Sequence, residues 1–221
     1  MDIRVAAHPP QAAAAAARWM AGQLRNAVRR RGSASLAVSG GSTPVLMFAA
    51  LVELDVPWRS VGVWQVDERV AVGTDPARNA HQLEGLDAAG ARVHLMPVTV
   101  RHLATAARRY ADGLPERFDV VHLGLGNDGH TASWAPGDPV IDSHDPVAMC
   151  ATFNGYERMT LTPSVVNDAR HRLVLAVGAP KAAVLAGWLL RDPSLPITRV
   201  RRTGTVVVVD RAAAAQLPVD R

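Results

Sequence analysis

The sequence predicts an α/β fold: a single-domain, mostly parallel, Rossmann-like open sheet with helices on both faces. Short continuous apolar runs alternate with helix-like segments from end to end. Strands that are apolar on both sides belong to parallel sheets covered on both faces. Glycine-rich or acidic turns follow several of these runs directly. At 221 residues, 48% hydrophobic and 20% charged, the chain is too apolar to be disordered and long enough for one domain over residues 1–221.

Taken in order, Pro9-Pro10 followed by Gln11 to Arg30 predicts a long amphipathic helix with proline in its first turn. Leu36-Ala37-Val38 is a short buried strand, and Pro44 to Leu54 a helix opened by Ser42-Thr43-Pro44. Val61 to Val66 is the next strand, ending at Asp67-Glu68-Arg69. Helix Leu103 to Ala111 leads to an apolar strand over Phe118 to Leu123. From Trp134 to Leu161 proline, glycine and aspartate accumulate, which predicts a long connection holding one short strand, Val147 to Phe153. Arg172 to Val177 is a strand feeding helix Pro180 to Leu190, and Val206 to Val209 closes the series.

The formal net charge of +4 raises the question of nucleic acid. The arginines are scattered, however, and Arg29-Arg30-Arg31 and Arg199, Arg201 and Arg202 lack interleaved aromatics, so no nucleic-acid partner is expected. Apolar stretches are broken before membrane-spanning length, and no export signal opens the chain. The single cysteine, Cys150, has no partner for an internal disulfide, which fits a reducing cytoplasm. His122 lies inside an apolar strand and reads as a hydrogen-bonded structural residue. Metal-ligand spacing is absent, so metal-independent chemistry without a cofactor is expected. Lys181 is the only lysine, although arginine serves for positive charge everywhere else.

Three turns carry the chemistry. Ser39-Gly40-Gly41-Ser42-Thr43-Pro44 joins a strand to a helix. Gly40 and Gly41 allow close backbone approach, Ser42 and Thr43 supply hydroxyls, and orphan amides at the helix start favour a phosphate. Asp67-Glu68-Arg69 places adjacent acids and a cation where sugar hydroxyls or a charged intermediate could be held. Gly124 to Ser133 delivers Asp128 and His130 two residues apart, a carboxylate beside an imidazole, which is the minimum for moving protons near neutral pH. Residues 124–129 also match G-x-G-x-x-G, but Pro136-Gly137-Asp138-Pro139 ends any helix there within two turns, against a dinucleotide site.

Together with Asp75 to Asn79, Arg158 to Thr162 and Gly178 to Ala182, these turns resemble, in order and spacing, the 6-phosphogluconolactonase family, whose relatives include the glucosamine-6-phosphate deaminases. The resemblance implies a phosphorylated sugar lactone as substrate. It also implies a phosphate site at Gly41, Ser42, Thr43, Arg158 and Lys181. His130 becomes the general base, with Asp128, Asp67 or Glu68 as the acid that orients it, and Arg69 or glycine-turn amides as donors to the carbonyl. A monomer or weak homo-oligomer is expected. Asn127 is typical of the deaminases, yet their supporting glutamate is replaced by Ala135, and Thr131-Ala132-Ser133 resembles the lactonase form. Trp134-Ala135 stands where lactonases usually carry Leu-Phe. The rival readings are a deaminase and a sugar-phosphate sensor without catalysis.

Overall fold

In the computed structural model, which describes residues 1–217, seven strands form one all-parallel sheet. In chain order they are β1 (Asp2–Ala6), β2 (Ala34–Val38), β3 (Val61–Gln65), β5 (Arg92–His94), β6 (Val120–Leu123), β9 (His171–Ala176) and β10 (Thr205–Asp210). The spatial order is β1-β10-β9-β6-β2-β3-β5. A separate antiparallel sheet of three strands joins β4 (Asp67–Arg69), β8 (Tyr156–Leu161) and β7 (Val147–Phe153).

Alternate side chains of the parallel strands enter two cores. Leu36, Val38, Val63, Val120, Leu173, Leu175 and Val208 pack under α1 (Pro9–Arg31), α2 (Pro44–Val52) and α3 (Glu84–Ala88). Ala37, Val121, Leu123, Val174, Ala176, Val207 and Val209 face the other way, against α4 (Leu103–Asp112), α5 (Pro163–Asp168) and α6 (Ala182–Leu189). Helices therefore cover both faces, as expected. The alanine run of α1 is a packing device: Ala12, Ala13, Ala16 and Ala17 are buried, letting the helix lie close on the sheet. The helix ends at Gly32 in a left-handed conformation, whose amide bonds back to the Val28 carbonyl.

The strands that the sequence does not announce have physical reasons to be hidden. At the sheet edge, β1 exposes most of its residues, and β5 has only three. The sequence reads Asp67-Glu68-Arg69 as a turn after a strand; it is instead β4, whose acids are buried against β8. The connection 134–161 contains the expected strand Val147–Phe153 as β7 and adds an unannounced β8, the two joined in a hairpin turned by Asn154 and Gly155 with positive φ.

One buried cation ties the amino-end side of the sheet together. Arg172, at the start of β9, donates to the carbonyls of Val166, Asn167, Ala169 and Thr203 and to Thr205 Oγ1. Burial pulls its guanidinium down to about 10. Arg172→Leu orphans those carbonyls and is expected to lose about 3 kcal/mol or more of stability in urea unfolding. A loss below about 1 kcal/mol would contradict that role.

Candidate active site

Strand order reverses between β2 and β6: β3 and β5 extend the sheet beyond β2, whereas β9, β10 and β1 extend it beyond β6. Crevices at the carboxyl ends of strands flanking such a reversal are where open α/β sheets bind ligands. The turns that follow β2, β3, β6 and β9 meet there around a cleft of about 190 Å³. Its walls include Ser39 to Pro44, Asp67, Arg69, Asn79, Gly124 to Gly126, His130, Arg158 and Lys181. Residues distant in sequence thus share one cavity because the strands that deliver them are parallel neighbours.

The imidazole is held by its own turn. Asp128 Oδ1 lies 2.5 Å from His130 Nδ1 and also accepts from the His130 amide at 3.1 Å. The His130 carbonyl accepts from the Gly126 amide at 2.8 Å, closing the turn. A Cβ on Gly126 would collide with the imidazole and the Asp128 carboxylate, so only glycine lets the ring fold back over residue 126. Partial burial raises the Asp128 carboxyl, but hydrogen bonds from the His130 amide and ring outweigh it and hold the group below its ordinary range. An ionised Asp128 accepts from Nδ1–H, which leaves Nε2 as the unprotonated nitrogen. Of the acids that could orient His130, Asp128 is the one that touches it.

The neighbouring acids do different work. Asp67 lines the cleft, accepts from Ser133 Oγ at 2.7 Å, and has Arg158 at 3.9 Å. Glu68 does not line the cleft. It is fully buried beneath it, accepting from Gln65 Nε2, the amides of Arg69, Asn79 and Ala80, and pairing with Arg78 at 3.0 Å. With every lone pair engaged, Glu68 fixes β4 to the segment at Asn79 and is not free to reach His130.

Burial raises the Asp67 carboxyl above its ordinary range, against the hydrogen bond from Ser133 and the charges of Arg158 and Arg69. The folded protein therefore keeps that proton to a higher pH than the unfolded chain, and stability falls as pH rises between the two pKa values. Asp67→Asn is expected to be at least as stable as the parent at neutral pH. The difference should close as pH drops below the unfolded value near 3.8. Urea unfolding at both pH values checks this; an asparagine variant weaker than the parent at neutral pH would contradict it.

Cations line the same cleft. Arg69 donates to the Ala77 carbonyl and, at 2.7 Å, to Asn79 Oδ1. Arg158, on β8, is buried, donates to the Phe153 carbonyl, and lies over the Phe153 ring at 5.3 Å. Lys181 precedes α6 and forms no ion pair among the described residues; burial lowers its ammonium pKa, opposed by the Asp128 charge. Thr43 sits at the start of α2 without using its side chain as a cap. Gly40 is crowded by Asn79, where a Cβ would clash, and the Gly41 amide donates to Gln82 Oε1 at 3.0 Å. The glycine–serine turn, Lys181, Arg158 and Arg69 can together hold a multiply charged oxyanion.

Residues that the sequence reading did not assign complete the site. Asn79 bridges Arg69 and the Asp67 carbonyl, Ser133 holds Asp67, and Phe153 packs edge-on against His130 with centroids 5.0 Å apart. The Asp75–Asn79 segment of the motif series was the only signal for Asn79. His122 corrects an expectation: it is buried, but neither ring nitrogen has a hydrogen-bond partner. Its ring packs against Phe48, and burial depresses it to about 3, so it is a neutral core residue. Among the described residues, no group of His, Cys, Asp and Glu converges as metal ligands would, and no helix is long and apolar enough to cross a membrane.

Residues 7–209 match the family model described as glucosamine-6-phosphate isomerases/6-phosphogluconolactonase. The chain is 36% identical over 200 residues to a 6-phosphogluconolactonase of Rhizobium meliloti, covering 84% of this chain and 86% of the relative. It is 34% identical over 205 residues to one from Mesorhizobium japonicum, covering 86% of each. The crystal structure of a 6-phosphogluconolactonase from Shewanella baltica superposes with a TM-score of 0.87 at 29% identity, covering 95% of this chain and 97% of that one. With the turns of the motif series gathered around one cleft and the match spanning most of its length, the chain belongs to the glucosamine-6-phosphate isomerase/6-phosphogluconolactonase family.

Proposed function

We propose that this chain is a 6-phosphogluconolactonase: it hydrolyses 6-phosphoglucono-1,5-lactone to 6-phosphogluconate, with His130 as general base and no metal ion. The observation that carries the reading is an oriented imidazole sharing one cleft with a cationic anion cradle. His130 Nε2 takes a proton from water as the water oxygen attacks the lactone carbonyl. Negative charge develops on the carbonyl oxygen, for which Arg69 and the glycine-turn amides are the donors in reach of the cleft. The intermediate collapses by breaking the bond from the former carbonyl carbon to the ring oxygen. The imidazolium returns its proton to that oxygen, and Asp128 stabilises the charged ring in between.

Lys181, Arg158 and the Ser42-Thr43 hydroxyls hold the 6-phosphate. Binding energy from this unreactive end fixes the lactone against the base. We expect the chain to act as a monomer or weak homo-oligomer. A cytoplasmic setting suits the one buried thiol, Cys150.

The test follows loss of the phosphorylated lactone with and without protein, subtracting spontaneous decay, beside an ammonia assay on glucosamine 6-phosphate. Accelerated lactone loss without ammonia is expected. Ammonia release would favour a deaminase, and tight binding of 6-phosphogluconate with lactone decay at the spontaneous rate would favour a sensor. Ala135 argues against the deaminase, because its methyl group cannot relay a proton. Gly126→Ala probes positioning without removing the base: displacing the ring from Asp128 is expected to lower kcat by about 10²-fold. An unchanged rate would detach the Gly126 turn from catalysis.

A further inference from the structure

A second charged concavity lies at the amino ends of the strands, the opposite end from the cleft. Its volume is about 440 Å³, and it is lined by the end of α1 (Gln23, Asn26, Arg30, Arg31) with Arg117, Asp119, Arg170 and His171. An adjoining groove of about 420 Å³ shares Arg31, Arg117, Asp119 and Arg170 and adds Arg92 and Glu116. The arginines outnumber the acids on these walls.

One buried carboxylate organises them. Asp119 Oδ2 accepts from the Ser35 amide at 2.9 Å and from Ser35 Oγ, while Oδ1 pairs with Arg31 and, at 3.3 Å, with Arg170 Nε. A single negative charge thus fixes two guanidinium forks. Arg30, Arg92 and Arg117 form no ion pair among the described residues, although Glu116 lines the adjoining groove. Arg30 and Arg92 make no side-chain hydrogen bond among the described residues, and Arg117 uses only Nε, on the Asp168 carbonyl. The His171 pKa is lowered, first by burial and then by the charge of Arg172, with Arg170 and Arg117 adding to it and Asp119 opposing. Arginines in the last turn of α1 do complement the helix dipole, but that effect concerns only the helix end. It does not account for Arg117 and Arg92, because they come from other elements.

We propose that this concavity is a binding site for a small molecule carrying consecutive phosphate groups, separate from the catalytic cleft. Planar guanidinium forks suit phosphate oxygens better than point charges do. Their distribution over two adjoining grooves suits an extended polyanion better than a single phosphate.

The test is calorimetric titration with inorganic tripolyphosphate and, separately, orthophosphate at physiological ionic strength. Parent protein, an Arg30→Gln/Arg117→Gln double variant and a Lys181→Ala variant are compared. Neither Arg30 nor Arg117 holds Asp119, so the double variant is expected to keep its fold, checked by circular dichroism and unchanged lactone turnover. Tripolyphosphate should bind the parent more tightly than orthophosphate does. The double variant should lose about tenfold or more in affinity, and Lys181→Ala should lose little. Absence of binding to the parent, equal affinity for the two anions, or binding lost in Lys181→Ala but kept in the double variant would each overturn the proposal.

Discussion

His130→Ala is expected to lower kcat for the phosphorylated lactone by about 10²–10⁴-fold, the usual worth of general-base assistance, while KM changes little. The reasoning is geometric. His130 is the cleft imidazole, its Nδ1 is engaged by Asp128, and Nε2 is the nitrogen left to accept a proton. The residues proposed to hold the phosphate lie on other elements, so the substrate's charged end is expected to keep its partners when the ring is removed. Loss of an interaction made only in the transition state lowers kcat and kcat/KM together. Steady-state kinetics with the spontaneous rate subtracted will show this pattern. Unchanged kcat would remove His130 as the base, and a rise in KM alone would make it a binding residue.

Lys181→Ala is expected to produce the opposite split. Losing a charge-assisted hydrogen bond to phosphate is worth about 1.5–3 kcal/mol, or roughly 10- to 150-fold in affinity. The loss should appear for the phosphorylated lactone and not for its unphosphorylated counterpart. Burial lowers the Lys181 ammonium pKa, so the charge is lost on raising pH sooner than for an exposed lysine. KM should therefore rise at alkaline pH in the parent and stay flatter in the alanine variant. Comparison of kcat/KM for the two lactones across pH checks both points. Equal losses for the two substrates would exclude a phosphate role for Lys181.

The parallel core was legible because its strands are apolar on both faces. Leu36-Ala37-Val38 and Val206 to Val209 announce themselves whatever surrounds them. Asp67-Glu68-Arg69 did not, because a charged triplet becomes a strand only when Ser133, Arg158, Asn79 and Arg78 are brought to its carboxylates. The same distinction runs through the site. The Asp128–His130 contact spans two residues and could be expected from spacing, but that Asp128 alone of the three acids touches the ring depends on the fold-back over Gly126. Phe153 reaches His130 only through the β7–β8 pairing, whose Asn154-Gly155 turn is a hairpin signal that the sequence reading passed over. Glu68 lies outside the cleft lining for a related reason: adjacent strand residues point to opposite faces, so Asp67 and Glu68 are not equivalent.

The central claim is that a proton acceptor and a phosphate cradle face each other across one cleft and hold the two ends of one molecule. A crystal structure with 6-phosphogluconate bound measures this directly. The phosphate is expected within hydrogen-bond reach of Lys181 Nζ and the Ser42-Thr43 turn, with the carboxylate beside His130 Nε2. A ligand bound in the reverse direction, or seated outside the cleft, would contradict the account.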